Sequence, residues 1–515
     1  MNKTVSEHKG DHAGRDRLMR NAFVSWGSYL IIVIAGFIMP RLMDIYVGQQ
    51  LLGIWDFSWA FVNYLTMAGL GLGSSVGRYV ARYNSKGEKE KLNTLISTVF
   101  TLQLLVTLFV VVVTIIFSLI VPEYILASND QDAKIAQKVV LFLGFSFAIQ
   151  MFFDTSRGVL TGCHRWDIYN GLQAASRILI TIGMIVVLVS GGSLVELSLV
   201  YLVFTVLFES TRAIIALKIL PGISRSPKCF SMSYAKKTFQ FGIKSIMVAA
   251  PGIVTIQTIN IMVVASLGPE ALAVLARPIA LIKHLETFIH KFTFILVPTA
   301  GSLQGAGEDD ALREFFLTVA KFTFAMTIPA ICLLVVFGDH IIELWMGDKY
   351  VNWALMMILP IGYLLPISQS AVTSILVGMN KHGIVGGGGL IITIVSLVIG
   401  IVIIDSFGWT LERAAILTII PSLLIHLFLV PSIACKAFKI GVFEYVSRSV
   451  FLPIIIGVVY AALLSGARLY LLDDLIVAVL VCIISTVLLV VVYWRYILNS
   501  ENRSYVLNVV RKKKG

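Results

Sequence analysis

Charged side chains are scarce in this sequence. They make up 14% of its 515 residues, against roughly 25% in ordinary soluble domains. A chain of this length folded in water would show several core-and-surface units with polar periodicity. Here, runs of about 20 apolar residues follow one another instead. That pattern excludes a soluble enzyme, a disordered protein and a nucleic-acid-binding domain. Cysteine is also sparse. Cys163, Cys229, Cys332, Cys435 and Cys482 are scattered without a CxxC pair, so they suggest neither a disulfide framework nor a metal site. There is no P-loop and no nucleophile–base pair. No strand precedes the glycine run Gly69–Gly73, which removes a dinucleotide loop. A cleavable signal is not expected: residues 1–20 are polar, and the first apolar run, from Phe23, lacks a small-residue cleavage site.

What is abundant is hydrophobic surface, 57% of residues. Crossing a hydrocarbon core of about 30 Å takes about 20 helical residues. Such runs occur at 22–43, 52–73, 95–121, 138–160, 174–190, 194–217, 241–267, 271–300, 315–337, 351–379, 384–404, 411–435, 450–471 and 475–496. They are continuously apolar without period-2 alternation, so they predict about 14 transmembrane helices and not barrel strands. The least certain divisions are Ser190–Ser193, between spans 5 and 6, and Asp473-Asp474, between spans 13 and 14. The net charge of +12 sits in short patches between runs. Of 41 Lys and Arg, 33 fall on the side of the N-terminus, 6 on the other side and 2 within a span. The positive-inside rule then places both termini in the cytoplasm. No loop is long enough to hold a separate domain.

Short motifs recur at fixed offsets. Gly48-Gln49-Gln50-Leu51-Leu52 is matched by Gly268-Pro269-Glu270-Ala271-Leu272, and Gly87-Glu88 by Gly307-Glu308, both 220 residues on. Leu160-Thr161-Gly162 is matched by Leu376-Val377-Gly378, 216 residues on. Each match falls at the same point of a six-span unit. The expected layout is a cytoplasmic tail (1–21), an N-lobe of six spans (22–220), a cytoplasmic linker (221–240), a C-lobe of six spans (241–436), two appended spans (437–498) and a basic cytoplasmic tail (499–515). Six is even, so the repeats are parallel. In transporters built this way the substrate path lies between the halves, and rocking gives alternating access.

Several segments carry a family resemblance. They are Leu52-Gly53-Ile54-Trp55, Gly69–Gly73 with Arg78-Tyr79-Val80, Leu160–Asn170, Leu267–Leu272 and Leu344-Trp345-Met346-Gly347. Over about residues 20–440 the chain resembles the polysaccharide-export family of oligosaccharide flippases. That family is a branch of the superfamily that also holds multidrug pumps and the lipid II flippase. The resemblance implies an all-α polytopic transporter with two six-helix repeats, two C-terminal helices and a V-shaped central cavity. It implies a non-enzyme that moves polyprenyl-pyrophosphate-linked oligosaccharides from the inner to the outer leaflet of a bacterial plasma membrane. Its partners would be membrane lipids, a polysaccharide polymerase and glycosyltransferases, with no nucleic acid. No cofactor is implied beyond a coupling H+ or Na+. Family members often carry Asp where this chain has Ala68 and Asn260. Asn260 cannot titrate, which leaves coupling through that position in question.

Ionisable groups inside a span cost roughly 2.5–3.5 kcal/mol each and need a reason. Span 8 holds Arg277, Lys283, His284, Glu286, His290 and Lys291. At about 100° per residue, Arg277, His284 and Lys291 form one stripe with Lys283 beside it, and Glu286 is placed to pair with Lys283. A basic stripe suits a pyrophosphate headgroup, with Arg supplying forked hydrogen bonds. Lys291 and His290 also fit a plain helix end that snorkels to the interface. Asp56, Gln257 and Asn260 are the other polar candidates for the cavity or for coupling, and Asp56 is a potential partner of Arg277. Asp154 with Arg157, and Glu209 with Arg212, each at i,i+3, read as structural ion pairs at the interface. His426 is a lone histidine in span 12. Pro251, Pro278, Pro298 and Pro329 are expected hinge points. Two other functions stay open: a cation-coupled multidrug or organic-ion exporter of the same superfamily, and a membrane-embedded glycan polymerase or ligase. The first would favour acidic spans. The second commonly carries a large outer loop, which is missing here.

Overall fold

The computed structural model describes residues 6–69, 72–125, 130–221, 229–294, 296–379, 381–471 and 475–496. The basic tail 499–515, linker residues 222–228 and Asp473-Asp474 lie outside them. The described residues form helices and short connections, without a strand. Among the described residues, eleven helical stretches are long and apolar enough to cross a membrane. The chain divides into two compact units, Met1–Ala273 and Val274–Gly515.

The first unit contains α1 (Ser6–Val47), α2 (Gln49–Leu65), a 3-10 turn (Thr66–Gly69), α3 (Leu72–Ser85), α4 (Lys89–Ile125), α5 (Asp130–Gly162), α6 (Trp166–Val189), α7 (Leu194–Ile219) and α8 (Met232–Leu267). α6 and α7 are separate helices because Gly191 turns at φ 77° and Ser193 starts α7 with a capping box. The Ser193 backbone N–H donates to Glu196 Oε2 at 2.8 Å, and Ser193 Oγ accepts from Val195 N. The expected division at Ser190–Ser193 is thus the boundary between α6 and α7. One core of this unit joins α3, α4, α5 and α7 through Leu72, Val76, Leu95, Val99, Leu160 and Ala216.

α9 (Pro269–Phe294) contains the boundary between the units. It is followed by α10 (Leu296–Ala306), α11 (Asp309–Met346), α12 (Trp353–Ser368), α13 (Ser370–Gly378), α14 (His382–Phe407), α15 (Leu411–Leu424), α16 (Val430–Phe438), α17 (Val442–Tyr445), α18 (Phe451–Leu471) and α19 (Leu475–Tyr496). Wide π turns at Ile425–Leu429 and Val446–Val450 join α15 to α16 and α17 to α18. The core of the second unit centres on Phe316, stacked 4.2 Å from Phe438 and 5.5 Å from Tyr445. α18 and α19 pack on α11 through Tyr460, Leu464, Leu489, Val336 and Phe337.

Large apolar side chains are left exposed at helical spacing. Leu105, Leu108, Val112, Ile116 and Leu119 run along α4, and Ile391, Val395, Val398 and Val402 along α14. Stripes of this kind on a water-soluble protein would be an aggregation surface; on a membrane protein they face lipid.

Three of the fourteen expected spans fall outside the eleven. The run expected at 52–73 is broken: α2 has 17 residues and gives way to the 3-10 turn. The run expected at 271–300 is α9 with α10, and α9 carries too many charges to be counted. The last run is α19, of which Ile483–Tyr496 is a shorter apolar stretch. By contrast, α8, α9 and α11 run on through Pro251, Pro278 and Pro329.

The repeated motifs have repeated backbones. Gly48, before α2, has φ 88° and ψ 167°; Gly268, before α9, has φ 88° and ψ 169°. At positive φ only glycine is at ease. Gly87 and Gly307 turn alike at φ 69° and 73°. Each is followed by an N–H donated five residues back, Glu88 to Tyr83 O at 3.0 Å and Glu308 to Leu303 O at 3.1 Å. Arg165 to Leu160 O and Lys381 to Leu376 O, both 2.9 Å, repeat the third motif.

Candidate functional site

α9 opens at the Gly268 turn and brings its ionisable groups into a helix flanked by apolar ones. Arg277 is 3% exposed. One and a half turns on, Lys283 Nζ donates to Glu286 Oε2 at 2.6 Å, and the same ammonium lies 5.3 Å from the ring centroid of Tyr363 on α12. A cation over an aromatic face is attracted by the negative face of the ring. His284, Glu286 and Lys291 are half-buried. His290 is exposed, with Nδ1 3.3 Å from Thr293 Oγ1, as suits a helix end.

The expected candidates divide between the units. Arg277, Lys283, His284, Glu286 and Lys291 belong to the second, and Lys283 and Glu286 are joined directly. Asp56, Gln257 and Asn260 belong to the first. There, Asn260 Nδ2 donates to Gln257 Oε1 at 3.4 Å on α8. Beside them, the Tyr64 hydroxyl of α2 contacts Thr258 Oγ1 and donates to Val254 O at 3.2 Å. His426 lies in the π turn, where Nδ1–H donates to Ser422 O at 2.8 Å. Its own carbonyl accepts from Gln369 Nε2 at 3.0 Å.

The two expected ion pairs belong to one cluster. Arg157 Nε donates to Asp154 Oδ1 at 2.8 Å, and Arg212 Nη1 to Glu209 Oε2 at 2.7 Å. Arg157 also bonds the Tyr169 side chain, and the Arg212 guanidinium lies 5.3 Å from the Tyr169 ring centroid. The Gly73 backbone bonds Asp154, which ties the start of α3 to the group. Two carboxylates and two guanidiniums therefore cancel inside the helix bundle, as buried charges must. Their sequence spacing shows each pair but not the meeting of the pairs. Tyr363 likewise leaves no signal in the sequence, because an aromatic residue in an apolar span has no signature of its own.

The family of polysaccharide biosynthesis proteins matches residues 83–355, just over half of the chain. The chain belongs to this family. A search of curated proteins finds no match. Among solved structures, the lipid II flippase MurJ in an inward closed conformation matches with a TM-score of 0.69 at 16% identity, over 92% of this chain and 98% of that one. An inward-facing multidrug-resistance MATE transporter of the MOP superfamily matches at 0.64 and 15% identity, over 81% and 99%. A MOP superfamily transporter from Pyrococcus furiosus matches at 0.56 and 14% identity, over 80% and 96%. At these identities the likeness carries the fold: this polysaccharide biosynthesis protein is a multi-span membrane protein with the MurJ and MATE architecture.

Proposed function

We propose that this protein is a flippase. It carries polyprenyl-pyrophosphate-linked oligosaccharides from the cytoplasmic to the outer leaflet of a bacterial plasma membrane, by alternating access, for surface polysaccharide synthesis. The single observation that carries the reading is the cationic α9 of a polysaccharide biosynthesis protein. Arg277, 3% exposed, precedes Lys283, His284 and Lys291 within four turns of one helix. Ionisable groups kept in a membrane helix mark a substrate path. A pyrophosphate is the anion that suits this cationic stripe, and the guanidinium of Arg277 matches its oxygens in forked geometry. Lys283, held at Glu286 and Tyr363, contributes a point charge. The MurJ match supports a lipid-linked cargo, since that protein is a lipid II flippase. The sugar moiety would cross with the headgroup while the polyprenyl tail stays in lipid. An organic-cation exporter of the same fold would place acids where α9 has bases.

Both termini are cytoplasmic on this reading, in keeping with the Lys and Arg bias. Energy comes from an H+ or Na+ gradient, for which Asp56, Glu286, Gln257 and Asn260 are the polar candidates. A polymerase would receive the product and glycosyltransferases would supply the cargo. The test is Arg277→Ala in the native host. Surface polysaccharide should disappear and lipid-linked glycan accumulate on the cytoplasmic side, with the protein still inserted and abundant. Normal surface polymer would rule out Arg277 as a headgroup ligand.

A further inference from the structure

α2 carries a second kind of chemistry, distinct from the cations of α9. Nine of its 17 residues are buried, among them Leu52, Ile54, Phe57, Phe61 and Leu65. The half-buried ones include Trp55, Asp56, Trp59, Asn63 and Tyr64. Trp55, Trp59 and Asn63 follow one another at four-residue spacing and so share a face. The rings of Trp55 and Trp59 meet edge to face at 6.2 Å, and Trp59 meets Tyr201 of α7 edge to face at 5.2 Å. The Tyr201 side chain is hydrogen-bonded to Gln150 of α5 and lies in the field of Arg177 on α6. Tyr201 is 8% exposed, so the two tryptophans, not the tyrosine, present open ring surface.

We infer that Trp55 and Trp59, supported by Tyr201, form a saccharide-binding subsite in the first unit, which takes the sugar moiety of the lipid-linked cargo. The inference rests on the flippase reading. A pyranose ring offers a face of weakly positive C–H bonds, and the negative π face of an indole is its complement. Sugar hydroxyls both donate and accept. Asp56 accepts, Asn63 does both, and both lie on the tryptophan face of α2. An aromatic belt at the membrane interface is the plain alternative for tryptophan. Two observations stand against it. Trp59 packs edge to face on the buried Tyr201, whose neighbours Gln150 and Arg177 are polar, so the indole is anchored on a polar part of the helix interior. In addition, the positions 220 residues on from Trp55 and Trp59 hold Leu275 and Ile279, 0% and 7% exposed. The fold therefore fills the same register with buried aliphatic side chains, and the half-open indoles are particular to α2.

The full chain in nanodiscs would be tested with two probes, polyprenyl diphosphate and the polyprenyl-diphosphate glycans extracted from the protein's own cells. The wild type should bind the glycosylated probe more tightly. Trp59→Ala and Trp55→Ala should each weaken the glycosylated probe by about tenfold and leave the sugar-free probe unchanged. Trp59→Phe, which keeps a ring, should recover most of the loss and controls for folding. Equal binding of the two probes by the wild type, or tryptophan variants that lose both equally, would overturn the subsite while leaving the flippase reading intact. A wild type that binds neither probe would overturn the flippase reading and the subsite with it.

Discussion

Lys283 and Glu286 are bound to each other, 2.6 Å apart and three residues apart on α9. Both side chains keep more than a third of their surface exposed, so neither is a fully buried charge and the pair is worth no more than about 1 kcal/mol to the fold. Lys283→Ala should therefore leave the thermal unfolding temperature in detergent nearly unchanged and lower surface polysaccharide severalfold. Lys283→Arg should retain transport. A large drop in unfolding temperature would make the pair structural instead.

The Asp154, Arg157, Glu209 and Arg212 cluster is the opposite case. Arg212 and Glu209 keep about a tenth or less of their side-chain surface exposed. Removing one partner strands a buried charge, at a cost of about 3–5 kcal/mol. Arg212→Ala should lower the unfolding temperature and the yield sharply. The double variant Arg212→Met with Glu209→Leu should recover much of both, because it removes the stranded charge. Unfolding measured on the purified single and double variants decides the matter.

Gly73 shows how closely α3 and α5 approach. A Cβ placed there would sit 1.9 Å from Asp154 Oδ2, and one at Gly158 would sit 2.5 Å from Val76 Cβ. Each glycine belongs to a GxxxG pattern, Gly73–Gly77 on α3 and Gly158–Gly162 on α5, the spacing that lets membrane helices meet backbone to backbone. Gly73→Ala should destabilise by about 1–3 kcal/mol through overpacking. The same change at Gly171, with open space around its Cβ position, should be near neutral. Thermal unfolding of the two variants gives the comparison.

The general architecture was legible in the sequence because apolar runs of span length and one-sided cations are strong physical signals. The repeat was legible too, since Gly48 and Gly268 need the same positive-φ turn. The break after α2 was hidden. The run 52–73 reads as apolar to a hydropathy sum, while the chain passes from α2 into the 3-10 turn Thr66–Gly69. The GxxxG pairs were visible as letters but became an interface only once α3 met α5. Arg277 and the α9 stripe stood out because charge in a span is costly. The Tyr363 ring under Lys283 and the Trp59–Tyr201 contact did not, since they join helices distant in sequence through ordinary aromatic residues.

Translocation in a purified system tests the central claim most directly. The protein would be reconstituted into liposomes that carry lipid-linked glycan extracted from its own cells. A membrane-impermeant glycosidase outside the vesicles would then report which leaflet holds the sugar. Protein-dependent loss of the protected inner-leaflet pool, abolished by Arg277→Ala, is the predicted result. A pool that stays protected with the wild-type protein at every imposed H+ and Na+ gradient would contradict it.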